Sequence, residues 1–396
     1  MKNNKLRHLD GMRGIMALNV ILCHFVMVYY PQMYFANIAA QTSGSLSLFA
    51  VTPLSVFVNG DIAVRFFLVL TGFLVGRAVF ISPSVDNDNL VKKLGYRYVR
   101  LLPMVVIATG LTHLMMILGL QRHLAIAEMV ANSALIKTYC NFAPTNSNLL
   151  INMFVRPFLR GSDYLPPFWM LRYEFWGYMI VMVLAHCLKD SKYRRIGYLV
   201  AMLFAVLEMG SDYLPCIFGL LVADVIFNAG DNTTVLSRYY VSIINSGGFK
   251  VVAGALGLFF ASCPMEFVGI FNILEAIPLI STGVIRGAGV ALLLFSTFNN
   301  ATLERILGNK VFVWMGDISY GVFALHFPLM LSVEAALFEL LYRPFSYDIA
   351  ALGAFIITLP VIYLVSWCAQ KLVDRHYPRK LWNYLRDRMK TADNHS

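Results

Sequence analysis

The sequence predicts an all-α protein: a polytopic transmembrane helical bundle of about ten spans with both termini in the cytoplasm. Three observations carry this expectation. Hydrophobic residues fill 58% of the 396 positions and charged residues only 14%, with mean hydropathy +0.65. A soluble domain carries roughly a quarter of its residues charged. Long apolar runs recur from end to end, so one membrane core is expected at 1–370 and a basic cytoplasmic tail at 371–396. Lysine and arginine, finally, are unevenly divided between the connections.

The apolar runs fall near 11–31, 61–81, 101–119, 168–188, 196–209, 213–228, 250–262, 278–298, 311–335 and 348–369. Several are shorter than the ~20 residues that cross a bilayer straight. An even count places both termini on one side. That side collects 23 of the 32 basic residues, from Lys2, Lys5, Arg7 and Arg13 to the tail; the opposite side holds Arg122, Lys137, Arg156, Arg160 and Arg343. The positive side is the cytoplasmic one. The same bias accounts for the net charge of +10 without nucleic acid. No cleavable leader pattern precedes the first run.

The first run holds Arg13 and His24, eleven steps apart. On a helix that is almost three turns, so the side chains share a face roughly 16 Å apart along the axis. Ionisable groups in a membrane helix usually face an interior or a wet cavity and mark function. Histidine is also suited to take a proton near neutral pH. The pair reads equally as a juxtamembrane arginine and a packed, hydrogen-bonded histidine.

The second run reads Phe66-Phe67-Leu68-Val69-Leu70-Thr71-Gly72-Phe73. Phe66, Phe67 and Gly72 can shape an apolar slot with Thr71 supplying a hydroxyl, or simply pack helices around a small residue. Asp61 and Arg65, four apart, read as a structural ion pair or an entrance feature. Arg97 and Arg100, three apart before the third run, share a helix face. Such a pair can hold phosphates or anchor the chain at the membrane surface.

The connection at 120–167 is the longest on the outer side and ends at Pro166-Pro167. Connections this long are often functional. Trp169, Arg172 and Glu174 follow it, placing Glu174 near the outer boundary while Arg97 lies near the inner one. Glu174 can orient an acceptor hydroxyl, partner Arg172 or steady a histidine. The ninth run carries Ser319-Tyr320-Gly321 and, deeper, His326 before Pro328. His326 reads as a second relay group or as a structural histidine bonding a carbonyl that Pro328 frees. The six cysteines lack metal-ligand spacing and read mostly as packing residues, with a bridge between Cys140 and Cys263 as the alternative for those two. The tail mixes basic residues with Tyr377, Trp382 and Tyr384, as a headgroup-binding segment or a solvated helix would.

Taken together the pieces resemble the acyltransferase-3 family of integral membrane acyltransferases over roughly residues 7–370. Leu9-Asp10-Gly11-Met12-Arg13-Gly14 with His24 is similar to the family's arginine, ten residues, histidine motif. The 66–73 stretch resembles its Phe-Phe…Ser-Gly-Phe segment, with Thr71 in place of serine. Arg97 and Arg100 resemble its Arg-x-x-Arg pair, Trp169 to Glu174 its Trp…Glu segment, and Ser319-Tyr320-Gly321 through His326 its late Ser-Tyr…His stretch. The resemblance implies transfer of an acyl group, commonly acetyl, from cytoplasmic acyl-CoA to a hydroxyl of a surface or secreted glycan. The implied setting is the cell membrane, the bacterial inner membrane in particular. Acyl-CoA would be a donor substrate, with no permanently bound cofactor and no metal. No hydrolase-like domain is expected after the core.

The residues then suggest a relay across the membrane. Arg13, Arg97 and Arg100 hold CoA phosphates, His24 is the base, and Glu174, Thr71 and His326 are orienting or relay groups. Asp10, Phe66, Phe67, Gly72, Trp169, Ser319 and Tyr320 support them. Two other readings stand beside this one: an acyltransferase acting on a small molecule or lipid, and a non-enzymatic transporter of a lipid-linked sugar. The bilayer, the acyl-CoA donor and the glycan are the expected partners, with homo-oligomerisation left open.

Overall fold

The computed structural model describes residues 6–42, 44–81, 87–227, 242–243, 246–277, 281–298, 300–373, 380 and 382. Among these every regular element is helical. The main helices are α1 (Arg7–Tyr29), α2 (Gly60–Ile81), α3 (Asn87–Ile117), α4 (Asn146–Phe154), α5 (Trp169–Leu188) and α6 (Arg194–Phe204). They continue with α7 (Leu214–Phe227), α8 (Gly247–Ala261), α9 (Thr282–Thr297), α10 (Lys310–Asp317), α11 (Ser319–Leu329) and α12 (Tyr347–Leu372). Five described helical segments are long and apolar enough to cross a membrane: α1, α2, residues 93–117 of α3, Ser319–Tyr342 and α12. A sixth arises if α9 is joined to the bent helix after it.

The expected run at 311–335 is differently divided. Helix α10 ends at Asp317, and the apolar segment runs from Ser319 to Tyr342. Pro328 lies inside it and a π-helical turn, Met330–Glu334, follows. Proline removes one helical N–H and crowds the preceding turn, which is a recognised cause of such local rewinding.

The chain forms two compact units. The first holds residues 1–84 and 176–319, the second 85–175 and 320–396. In the first unit, glycine seams decide which helices touch. A Cβ on Gly11 would sit 1.7 Å from the Leu307 carbonyl oxygen, and one on Gly316 would sit 1.7 Å from that of Asp10. So α1 lies backbone to backbone on α10 and the turn before it. Gly72 and Gly219 do the same for α2 and α7: their Cβ positions fall 1.8 Å from Cys216 O and 1.9 Å from Val69 O. Small residues allow this approach, and dispersion contacts between apolar helices depend on it.

In the second unit, the 120–167 connection is folded rather than loose. Asn152 is fully buried and its Oδ1 accepts from Asp163 N at 2.9 Å and Ser162 Oγ at 3.1 Å. Arg156 pairs with Asp163. Arg122 N and His123 N donate to Leu331 O at 3.0 and 3.1 Å, which pins the connection to the π-helical turn. Trp382 packs against α3, where a Cβ on Gly95 would meet its ring at 2.4 Å. Tyr377, Tyr384 and most of the basic tail lie outside the described residues. Cys140 and Cys263 are both free thiols, so the expected bridge is not formed.

Candidate functional site

In the first unit, one unbroken helix carries both Arg13 and His24. His24 Nδ1 lies 2.9 Å from Val20 O. A carbonyl oxygen only accepts, so Nδ1 bears the proton and donates. In the neutral ring the lone pair then resides on Nε2. This is the tautomer that a general base needs at Nε2, fixed by the helix's own backbone. Arg13 Nη1 lies 3.5 Å from Asp10 Oδ1, one turn earlier, with both side chains partly exposed. Asp10 therefore holds Arg13 near the start of the same helix.

The Phe66 and Phe67 rings meet edge to face at 5.7 Å, and Phe66 and Thr71 are buried. Gly72 faces the backbone of α7, so its role here is close helix packing. Ser319 is fully buried, and its hydroxyl donates to Gly316 O at 2.8 Å, tying the chain where α10 gives way to α11.

Sequence reasoning missed most of a second cluster in this unit. Asp61 Oδ2 accepts from Arg65 Nε at 3.0 Å and from Arg286 Nε at 2.7 Å. Arg65 Nη1 also reaches Asp212 Oδ1 at 2.6 Å, and Arg286 Nη1 donates to Cys263 O at 3.0 Å. Two cations and two carboxylates thus cancel inside the helices, as buried charge requires. The legible signal was Arg286 itself, alone in an apolar run. Tyr34 lies within electrostatic reach of Asp61 and Arg286, and burial pushes its phenol well above the usual value, so it remains a neutral hydroxyl.

In the second unit, Arg97 Nη2 contacts Glu174 Oε1, an ion pair in which each side chain is largely buried. This corrects the expectation that the two residues lie at opposite membrane boundaries. The physical reason is the length and return of the chain. Helix α3 has 31 residues, about 46 Å at the helical rise, longer than a bilayer core. Helix α4 then folds back along it, and Tyr98 Oη donates to Phe154 O at 2.6 Å. The rings of Phe158 and Phe175 close on Tyr98 at 4.9 and 6.3 Å. The beginning of α5 is therefore carried to the depth of Arg97.

Tyr320 joins this cluster. Its hydroxyl donates to Leu101 O at 2.9 Å, within electrostatic reach of Arg97, Arg100 and Glu174. Arg100 is exposed. Trp169 is 39% exposed and sets its ring edge to face on Tyr173 at 5.8 Å; the Arg172 guanidinium lies over that same Tyr173 ring. His326 is fully buried, with Nδ1 at 2.8 Å from Phe323 O and 3.1 Å from Val322 O. Those are carbonyls of its own preceding turn; the one deprived of its helical donor by Pro328 belongs to Ala324. His326 thus bonds different carbonyls from the one expected, and, as at His24, Nδ1 bears the proton and donates.

Arg97, Arg100, Glu174 and Tyr320 are thus brought together in one unit, and Asp10, Arg13 and His24 lie along one helix of the other. Among the described residues no group of three or more His, Cys, Asp and Glu side chains is arranged to hold a metal ion. A family model described as an acyltransferase domain matches residues 6–369. No curated protein and no solved structure matches the chain.

Proposed function

The chain belongs to the acyltransferase-3 family, and from that premise we propose that it moves an acyl group, acetyl first among them, from a cytoplasmic acyl-CoA thioester to a hydroxyl of a cell-surface or secreted glycan. The observation that carries the reading is the His24 tautomer. With Nδ1–H given to Val20 O, Nε2 is the basic nitrogen. It takes the proton of the acceptor hydroxyl as that oxygen attacks the thioester carbonyl. The carbon–sulfur bond breaks, the acyl group passes to oxygen, and the imidazolium returns its proton to the departing CoA thiolate.

The remaining residues supply binding and orientation. Arg100 offers an exposed guanidinium to CoA phosphates, and Arg97, steadied by Glu174, presents a second at helical spacing. Arg13, held by Asp10, is a further cation for the donor, on the helix that carries His24. Tyr320 and Glu174 keep the Arg97 cluster in register. The charge asymmetry supports cytoplasmic termini, which puts the thioester on the side of these arginines.

The test uses the full-length protein in lipid nanodiscs with carbon-labelled acetyl-CoA. Wild type should release CoA in the presence of glycan and leave an alkali-labile acetyl ester on it, while His24→Ala should not. Label found only on a small molecule or lipid would move the acceptor to the second reading. CoA release unchanged in a well-folded His24→Ala protein would remove the base assignment.

A further inference from the structure

Helices α6 and α7 of the first unit carry a cluster that the acyl-transfer reading does not use. Asp224 is fully buried on α7 and binds two arginines from the first turn of α6. Arg194 Nε meets its Oδ1 at 2.6 Å and Arg195 Nε its Oδ2 at 3.2 Å. One carboxylate thus fixes two guanidiniums side by side through their Nε atoms. The turn before α6 adds Lys189, Asp190 and Lys192, so among the described residues of the cluster four cations stand against two carboxylates, a balance of +2. One helical turn on, Tyr198 is fully buried, and its hydroxyl has no hydrogen-bond partner. It lies within electrostatic reach of Asp224, Arg194 and Arg195.

The surface beyond the cluster is apolar. Leu199 and Leu203 on α6 and Leu207 in the π-helical turn Ala205–Met209 that follows it are 62%, 55% and 57% exposed, four residues apart. Tyr193, at the head of the helix, is 60% exposed with the Lys192 ammonium 4.9 Å from its ring centre. A cationic head, an interfacial aromatic and an apolar stripe in that order match the profile of one leaflet.

We infer that α6 and α7 form a binding site for an anionic phospholipid. Its phosphate sits on the Arg194–Arg195 pair, and its acyl chains run along the Leu199–Leu207 stripe. Asp224 organises the pair beforehand, so little side-chain freedom is lost on binding. A free phosphate has no use for the stripe, and a zwitterionic lipid brings no net charge to match the balance of +2.

The experiment is native mass spectrometry of the full-length protein from mixed micelles of phosphatidylglycerol and phosphatidylcholine. Wild type should retain phosphatidylglycerol in clear preference. Arg195→Gln leaves the buried Arg194–Asp224 pair intact and should weaken retention about fivefold. The triple variant Arg194→Gln/Arg195→Gln/Asp224→Asn strands no buried charge and should weaken it about thirtyfold. Glycerol 1-phosphate added in tenfold excess should not displace the lipid. The inference is overturned by equal retention of the two lipids in wild type, by unchanged retention in Arg195→Gln, or by displacement with glycerol phosphate, which would make the ligand a soluble anion. Should the triple variant not fold, Arg195→Gln decides alone.

Discussion

Arg97 and Glu174 stand 77 residues apart in the chain and form an ion pair in the second unit. The pair joins the first helix of that unit to the start of α5, beneath the aromatic group of Tyr98, Phe158 and Phe175. Removing one member strands the other in a poorly hydrated place. Arg97→Ala should therefore destabilise the protein by about 3 kcal/mol. Arg97→Gln combined with Glu174→Gln should recover much of that loss. A double-mutant cycle on thermal unfolding in detergent measures the coupling; additive effects would reduce the pair to an incidental contact.

Arg100 separates binding from stability because it is exposed and three residues from Arg97. Arg100→Ala should lower the unfolding temperature far less than Arg97→Ala and raise KM for acyl-CoA about fivefold, the worth of roughly 1 kcal/mol for an exposed charged contact. Acceptor KM should stay fixed. A KM change confined to the acceptor would assign Arg100 to the other substrate.

His24→Ala should lower turnover by at least about a hundredfold, the usual scale for a lost general base. Its ring is only half-buried, unlike that of His326, so the variant should still insert and melt close to wild type. His326→Ala is the contrast. That ring is fully buried with its bond to the preceding turn, so the variant should lose stability by about 2 kcal/mol from the cavity and the lost bond. Comparing melting and turnover for the two variants separates chemistry from packing.

Much of this arrangement was legible and some was not, for identifiable reasons. Hydropathy revealed the class, because apolar surface cannot be hidden at 58% hydrophobic composition. The Arg13–His24 spacing was readable because one helix carries both. The Arg97–Glu174 contact was not, because hydropathy cannot show a connection that folds back along a helix longer than the membrane. Arg286 and Asp212 escaped for a related reason: Asp61, the partner of Arg286, is 225 residues away, and Arg65, the partner of Asp212, is 147 away, so only tertiary structure joins them. The break between Asp317 and Ser319 was hidden by continuous apolar character across it.

The 120–167 connection should respond to acid through His123. This residue is 1% exposed, lies outside the spanning helices, and its Nε2 is 2.9 Å from Tyr139 O. Burial holds its imidazole below the usual value of 6.5. The unfolded chain therefore binds the proton more readily than the folded one. The folded form has its full advantage above about pH 6.5 and loses it as pH falls below that value. Wild type should melt lower at pH 5.5 than at pH 7.5, and His123→Asn should flatten part of that difference. An identical pH dependence in the two proteins would remove His123 from the account.

The glycine seam between α1 and α10 gives the sharpest stability test. A methyl group on Gly316 would fall 1.7 Å from Asp10 O, and one on Gly14 would fall 2.6 Å from Met315 Cβ. Neither contact can be relieved by rotating a flexible side chain, since backbone or a Cβ stands in the way. The two helices must move apart, so the cost falls in the upper half of the ordinary range of about 1–3 kcal/mol for overpacking, or above it. Gly316→Ala should therefore destabilise by about 3 kcal/mol or more, and Gly14→Ala by about 2 kcal/mol. Both also bear on chemistry, because the first turns of α1 carry Asp10 and Arg13. Displacing that segment should raise KM for acyl-CoA even where the protein remains folded. Gly247→Ala is the control: it begins α8, and its Cβ position has nothing within 4 Å. That substitution should leave both melting temperature and KM unchanged. If Gly316→Ala behaves like Gly247→Ala, α1 does not lie on α10 at backbone contact, and the support given to Arg13 must come from elsewhere.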